Sequence, residues 1–538
     1  MEIQTHDYKM SIWCSIYALF YTFCLYKNYS GVTFPFFAAG TLYIFLYYMR
    51  RQGLTLKKFS YFLMTMIMAL GINVCLTGSE VLIVFDKAFI FVLFFTLFLH
   101  NLYDDVTWDV SRYAAAILST VCSAVKYLPA PVRDLAKYLK SRRESADPNS
   151  YTEKDTETYA SVGRPANLAE DTISERQANV APDTTTNTNT DRPARKGKSN
   201  IGYVFLGIVI SLPILLVVLP LLASSDIVFM RMLEKVFSFD INEELLDDLF
   251  GISFMTIVAF FAVYALKERL DDRSGYLERP VPDRRTKNPV VAITISVVML
   301  IVYGLYCAIQ IVYLFMGYGS LPSGYTYAEY VHEGFYQLVF VCLINLVLVL
   351  MCRKYSKDNM ILKIMLTLIS ACTFIMLFSS AYRMLLYIDA YGLTFLRLFV
   401  LWALTVIGFT MIGTCVYIYV SGFPFYKYSL AVLTVTFVIF AFIRPDYQIA
   451  RYNLTHDPDY DRAYIVNHLS SDAAGDVDKY CDDAELKADY AGHVIRNYTN
   501  HDYRYYPDSS TDHLRPKLNF RTWNYSIYNL TLMANKWN

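Results

Sequence analysis

Glu329, His332 and Glu333 fall at i, i+3 and i+4 in "GYTYAEYVHEGF" and therefore share one helix face. A carboxylate and an imidazole at this spacing can ligate a metal, and paired E-x-x-H motifs build di-iron sites in helical bundles. Here there is one copy, and no second supplier of ligands is evident. Thr326 and Glu329 instead make a capping box, in which Glu329 returns to the cap's own N–H. Capping is the expectation, with no metal and no cofactor. A second charged group lies in "SSAYRMLLYIDAYGLTFLRLF", which carries Arg383, Asp389 and Arg397. Gly392 suits a left-handed helix end and Thr394 suits the cap of the next helix. The expected result is a tight helical hairpin pinned by those three charges; the functional alternative is a site for an anionic headgroup or a glycan. After "AS", Ser225 or Asp226 caps a helix bearing Ile227, Met230, Leu233, Val236 and Phe237; the functional alternative is that Asp226 binds an ion or substrate.

The elements that must position these residues are membrane helices. The chain of 538 residues is 55% hydrophobic and only 18% charged, below the roughly 25% charged of an average soluble domain. Net charge is zero, so no bulk basic field argues for nucleic acid. The ten cysteines show no CxxC pair, and only Cys481 lies in a clearly soluble stretch, which supports neither a disulfide framework nor a zinc site. The first apolar run, Ile12 to Tyr26, reads as a retained helix, since no small-residue cleavage site follows it. Apolar runs near 11–26, 32–49, 61–77, 81–102, 201–223, 251–266, 290–316, 334–352, 360–382, 398–420 and 428–443 suggest about eleven transmembrane helices in an all-α, polytopic fold.

Loops rich and poor in Lys and Arg alternate along the chain. Four basic residues lie in 50–60, fourteen in 103–200, seven in 267–289 and four in 353–363, while the intervening loops are nearly bare. The positive-inside rule then puts the N-terminus and the long insert in the cytoplasm and the C-terminal tail outside. Five regions follow: a four-helix membrane region over 1–103, an amphipathic basic segment over 104–140, a disordered cytoplasmic linker over 141–200, a seven-helix membrane domain over 201–443, and an extracytoplasmic tail over 444–538. The 104–140 segment carries Trp108, Tyr113, Ile117, Val121 and Val125 beside lysines and arginines. It either lies on the inner leaflet or prolongs the fourth helix.

At the midplane stand Asn73 and Asn345 with scattered Ser, Thr and Gly, but no Asp, Glu, Lys or Arg. Asp86 and Lys87 fall near the outer end of the fourth span, and His100 near its inner end. Charges deep in a bilayer usually mark coupling sites, so their absence weakens an ion-coupled transporter. The tail suggests amphipathic helices near 459–471 and 483–496, then polar loops and little core of its own, docked through Tyr464, Leu469 and Trp523. Five Asn-x-Ser/Thr triplets, at Asn28, Asn453, Asn497, Asn524 and Asn529, fall on predicted outer segments; they would accept glycans in a eukaryotic secretory route and mean nothing in a bacterium.

"LPSGYTYAEYVHEGFYQL", "RMLLYIDAYGLTFLRLF", "RPDYQIARYNL" and "FRTWNYS" resemble a bacterial multi-pass membrane protein family catalogued as a domain of unknown function, of the 4153/4173 type. The resemblance covers about residues 200–530 and implies a bacterial inner membrane without a known activity. Carried residue by residue, it points to Asp226, Glu329, Tyr330, Gly334, Phe335, Arg383, Tyr387, Tyr391, Gly392, Arg397 and Trp523. After Ser471-Asp472-Ala473 the tail departs from the family's helical pattern.

No catalytic motif is present. The leading expectation is a non-enzymatic receptor, scaffold or envelope-assembly component working at the extracytoplasmic face. Its expected partners are the bilayer and an envelope lipid, a glycan or another membrane protein. A transporter or channel for a small solute needs a polar path that these helices do not obviously offer. An envelope enzyme on a lipid-linked or glycan substrate would need Glu329 or Asp389 as general acid or base. Carboxylates beside arginines are more readily held ionised than tuned for that work.

Overall fold

The computed structural model describes residues 2–106, 108–144, 243–272, 285–311, 335–456, 460–501 and 520–537. Among them the fold is all-α and polytopic, without a strand. Six helices precede the insert: α1 (Glu2–Leu25), α2 (Thr33–Arg51), α3 (Lys58–Leu76), α4 (Glu80–Leu102), α5 (Val110–Ala124) and α6 (Ala130–Glu144). Six more follow as α7 (Glu243–Asp271), α8 (Pro289–Gln310), α9 (Phe335–Tyr355), α10 (Met360–Tyr391), α11 (Phe395–Tyr419) and α12 (Phe425–Phe442). The tail adds α13 (Pro445–His456), α14 (Arg462–His468), α15 (Ala474–Tyr480), α16 (Ala484–His501) and α17 (Tyr525–Trp537).

Eight of these helices are long and apolar enough to cross a membrane: α3, α4, α8, α10, α11, α12 and the greater parts of α7 and α9. Of the eleven expected spans, 201–223 lies outside the described residues, as do the linker over 145–200 and the helix expected after Asp226. The run at 11–26 becomes the apolar end of α1, only Ser11–Leu25 long. The run at 32–49 becomes α2, whose 19 residues include Tyr43, Tyr47, Tyr48 and two terminal arginines; it is not among the eight.

Residues 1–18 with 128–265 form one compact unit and 19–127 with 266–538 another. In the first, Tyr264 is buried and its hydroxyl donates to Asp134 at 2.9 Å. In the second, α10 packs against α8, α9 and α11, while α2, α3, α4 and α12 share a separate apolar cluster around Phe45, Ile67, Leu93 and Phe437. Water cannot serve buried polar groups inside a bilayer, so side chains there bond from helix to helix. Asn345 accepts from the Tyr303 hydroxyl at 2.6 Å and donates to Thr373 at 3.0 Å, tying α8, α9 and α10. Asn73 donates to Asp86 at 2.8 Å between α3 and α4, so the asparagine expected at the midplane stands level with the aspartate expected near the outer end, and Asp86 is fully buried.

The 104–140 segment does not prolong α4. Tyr103 turns extended (φ −121°) and Asp109 opens α5 by accepting the Arg112 N–H at 2.8 Å. One face of α5 buries Tyr113 and Ala116, and the other leaves Leu118 and Val121 exposed.

The tail differs most from expectation. It has a true apolar core, with Ile449, Ile465, Val477, Leu486, Tyr490 and Leu530 buried, and that core is continuous with the cluster around α10. Burying a large apolar side chain is worth about 1.5–3 kcal/mol, so even a Tyr- and Asp-rich segment can fold once a helical platform supplies the other half of its interior. Helices α14 and α16 stand where amphipathic segments are predicted, but α17 occupies residues expected as polar loop.

Candidate functional site

The turn between α3 and α4, the loop after α1 and the hairpin between α10 and α11 all open at the end of the bundle where the tail docks. The α10–α11 hairpin forms as the local sequence predicts. Gly392 takes φ +74° at the end of α10, and Thr394 accepts from the Arg397 N–H to cap α11. A side chain at 392 would be strained there, and a Cβ would meet Asn453 Oδ1 at 2.9 Å. Asn453 grips the next residue, accepting from Leu393 N at 2.7 Å and donating to Leu393 O at 2.9 Å. Tyr464 adds its hydroxyl as acceptor for the Phe395 N–H at 2.9 Å.

The tail also clasps the N-terminal helices. Asp472 accepts from Thr77 Oγ1 and from Gly78 N at 3.0 Å, which caps the α3–α4 turn. Asn524 is fully buried, donating to Thr77 O at 2.9 Å and Ser30 O at 3.1 Å while accepting from Ser526 N at 2.9 Å. Val32 N donates to Trp523 O at 2.8 Å, and Arg521 Nη1 donates to Tyr26 O at 2.6 Å. Gly31 lies so close that a Cβ would sit 2.2 Å from the Arg521 carbonyl oxygen. These contacts explain three of the Asn-x-Ser/Thr triplets: Asn28, Asn453 and Asn524 are buried and spend their amides on backbone partners. They are structural clamps, not accessible acceptors.

Between the clasps a cleft of about 900 Å³ remains open. One wall consists of Leu25, Val81, Ile83, Phe395 and Leu396 from the ends of α1, α4 and α11; the other carries Asn467, His468, His493, Asn497 and Tyr498 from the tail. Lys27 and Glu80 also line it, and Lys27 holds the left-handed φ of 46°. Asp446 lies in the cleft wall, accepting from Ser470 N at 3.2 Å and from Ser470 Oγ at 2.5 Å. Burial raises its carboxyl to about 6; the Ser470 bonds oppose this, and the nearby Asp472 charge adds to the rise. The cleft can therefore bind and orient a ligand through amides, imidazoles and hydroxyls. Among the described residues no three His, Cys, Asp or Glu side chains converge to hold a metal.

The residues singled out from sequence fall into three groups. Asp226, Glu329, Tyr330 and Gly334 lie outside the described residues, together with His332 and Glu333, while Phe335 begins α9. Arg397 does pin the hairpin, donating to Tyr391 O at 2.8 Å and to Gly392 O, with its guanidinium 4.3 Å from the Tyr387 ring centre. Arg383 does not join it: its guanidinium is buried and donates to Gln310 Oε1 at 3.1 Å, a bond shared with Ser379 at 2.7 Å. Asp389 is exposed on the last turn of α10. Trp523 joins the clasp through its carbonyl. Asp446, Asn467, His468 and His493 were not visible as a group, because 47 residues of chain separate the first from the last.

At the opposite end of the bundle a cluster of charged side chains is bonded together. Asp105 is buried and meets His100 Nδ1 at 2.6 Å, Lys427 Nζ at 3.0 Å and Lys57 Nζ at 3.5 Å, with the Tyr113 hydroxyl donating as well. Burial alone would raise this carboxyl, but the bonds from His100, Tyr113 and Lys427 hold it well below the usual carboxylate range. Lys354 adds a bridge to Asp109, and Arg353 donates to Tyr417 O at 3.3 Å.

Fold and cleft together define a polytopic helical membrane protein with a helical cap clasped over one end of its bundle. Residues 62–480 match the family described as a domain of unknown function, DUF4153, and the chain belongs to it. The match reaches further toward the N-terminus than the motif resemblance, taking in α3 and α4, and stops before Trp523. No curated protein and no solved structure matches the chain.

Proposed function

We propose that this is a non-enzymatic protein of a bacterial inner membrane that binds a ligand at its extracytoplasmic face, as a receptor, scaffold or envelope-assembly component. The cleft beneath the tail is the observation that carries the reading: helix ends, two turns and the tail's own helices leave a ligand-sized cavity where they could have packed shut. The hairpin bearing Asp389 and Arg397 supplies Thr394, Phe395 and Leu396 to its wall. Lys57, Arg353, Lys354 and Lys427 gather at the other end, which supports a cytoplasmic N-terminus, a cytoplasmic insert and an external tail. The partners in this reading are the bilayer and an envelope lipid, a glycan or another membrane protein. A solute path through the helices has less support, since the midplane Asn345 spends its amide on Tyr303 and Thr373.

Single cysteines at Asn467, His493 and Lys363 in a cysteine-free background test this with a membrane-impermeant maleimide. Positions 467 and 493 should label only from outside, and 363 only from the cytoplasmic side. The reverse pattern, or silence at both tail positions, overturns the proposal.

A further inference from the structure

We infer that the cleft takes a glycolipid, with a neutral sugar headgroup against the tail and the hydrocarbon chain leaving past the first turns of α4 and α11; this rests on the ligand-binding reading above. The two walls differ in origin and in chemistry. Val81, Ile83, Phe395 and Leu396 belong to the first turns of helices long and apolar enough to span a membrane. That wall therefore stands at the edge of the hydrocarbon layer. Val81 and Leu396 are 45% and 56% exposed, so the cleft has an apolar mouth facing the lipid and not only a polar one facing water. A wholly soluble ligand gives no use for such a mouth.

The tail wall suits hydroxyl groups. A sugar hydroxyl both donates and accepts, and so do the amide of Asn467 and the imidazoles of His468 and His493 taken together. Tyr464 and Tyr498 also line the cleft. Charge argues against a phosphate as the main group held. Among the described residues the lining has no arginine, and its one lysine, Lys27, is matched by Glu80 and Asp446. Phosphate sites favour forked guanidinium donors, and carboxylates in the wall repel an anion. A cavity of about 900 Å³ has room for a sugar headgroup and the start of its chain.

The test uses the full chain in phosphatidylcholine nanodiscs and measures retention of radiolabelled monogalactosyl diacylglycerol. Wild type should retain it, with methyl galactoside a far weaker competitor and phosphatidylglycerol no competitor. Asn467→Ala with His468→Ala, and separately Leu396→Lys, should each weaken retention about tenfold, the effect of losing one good contact. All three side chains are exposed or partly so, and the tail should stay protease-resistant in both variants. Equal competition by methyl galactoside overturns the lipid half of the inference, and equal competition by phosphatidylglycerol overturns the neutral headgroup. No retention by wild type, with position 467 still labelled from outside, sinks the glycolipid and leaves the ligand-binding face standing. No retention with silent tail positions sinks both.

Discussion

Asp105 and Asp446 are buried carboxylates at opposite ends of one helical bundle, and their neighbours give them opposite properties. Asp105 faces His100, Lys57, Lys427 and the Tyr113 hydroxyl, so its charge is matched and its position locked. Asp446 faces Ser470 and Ser79 hydroxyls and a second carboxylate, Asp472, beside an open cleft. One end is a rivet. The other is clasped at its edges and left hollow between them, and that hollow is what the proposed binding reading rests on.

The comparison breaks most sharply at Asp105. Asp105→Ala leaves Lys427, Lys57 and His100 facing one another around a buried gap, and removing one partner of a buried ion pair costs about 3–5 kcal/mol. The midpoint of thermal unfolding in detergent should fall by many degrees while retention in the cleft, per folded molecule, is unchanged. A shift no larger than that of an exposed control, such as Lys58→Ala, would remove the rivet from the account. Asn524→Ala should act at the other end by about 2–3 kcal/mol, since several buried backbone groups lose their partner. Its signature is local: protease should reach the tail while the helices stay intact. A tail that remains protected would mean the clasp is held elsewhere.

Asp446 gives the smallest effect and a pH signature. Its folded carboxyl, at about 6, lies above the ordinary 3.8, so the folded tail binds the proton more tightly than the unfolded one. The stability that Asp446 contributes is then fully present below about pH 4, is lost as pH rises through 6, and amounts to at most about 3 kcal/mol in total. Asp446→Asn should flatten that slope and leave the tail at least as stable at pH 7. An unchanged pH profile of tail protection in this variant would show that another group sets it.

Much of the hairpin at 391–397 was legible in the sequence because it is local. A glycine ends one helix, a threonine caps the next, and an arginine three residues after that threonine reaches back to the last carbonyls. Arg383 misled for the opposite reason. Spacing along α10 placed it with Asp389 and Arg397, but the rotation of the helix turned it inward to Gln310, on a helix some 70 residues away in the chain. The Asn-x-Ser/Thr triplets show the same limit, because a three-residue pattern carries no information about burial. Asn524 and Asn453 turned out to be among the strongest links between the tail and the bundle.

By itself the sequence determined the helical membrane class, eight of the expected spans, the alternation of basic loops and the local caps. All of these depend on composition, period or neighbours within a turn or two, which the chain states directly. Tertiary structure alone decided that the tail has a core, that Asp472 and Asn524 clamp turns some 395 and 447 residues away, and that a cleft stays open between them. A cavity is the space left where distant surfaces fail to meet, so no stretch of chain encodes it.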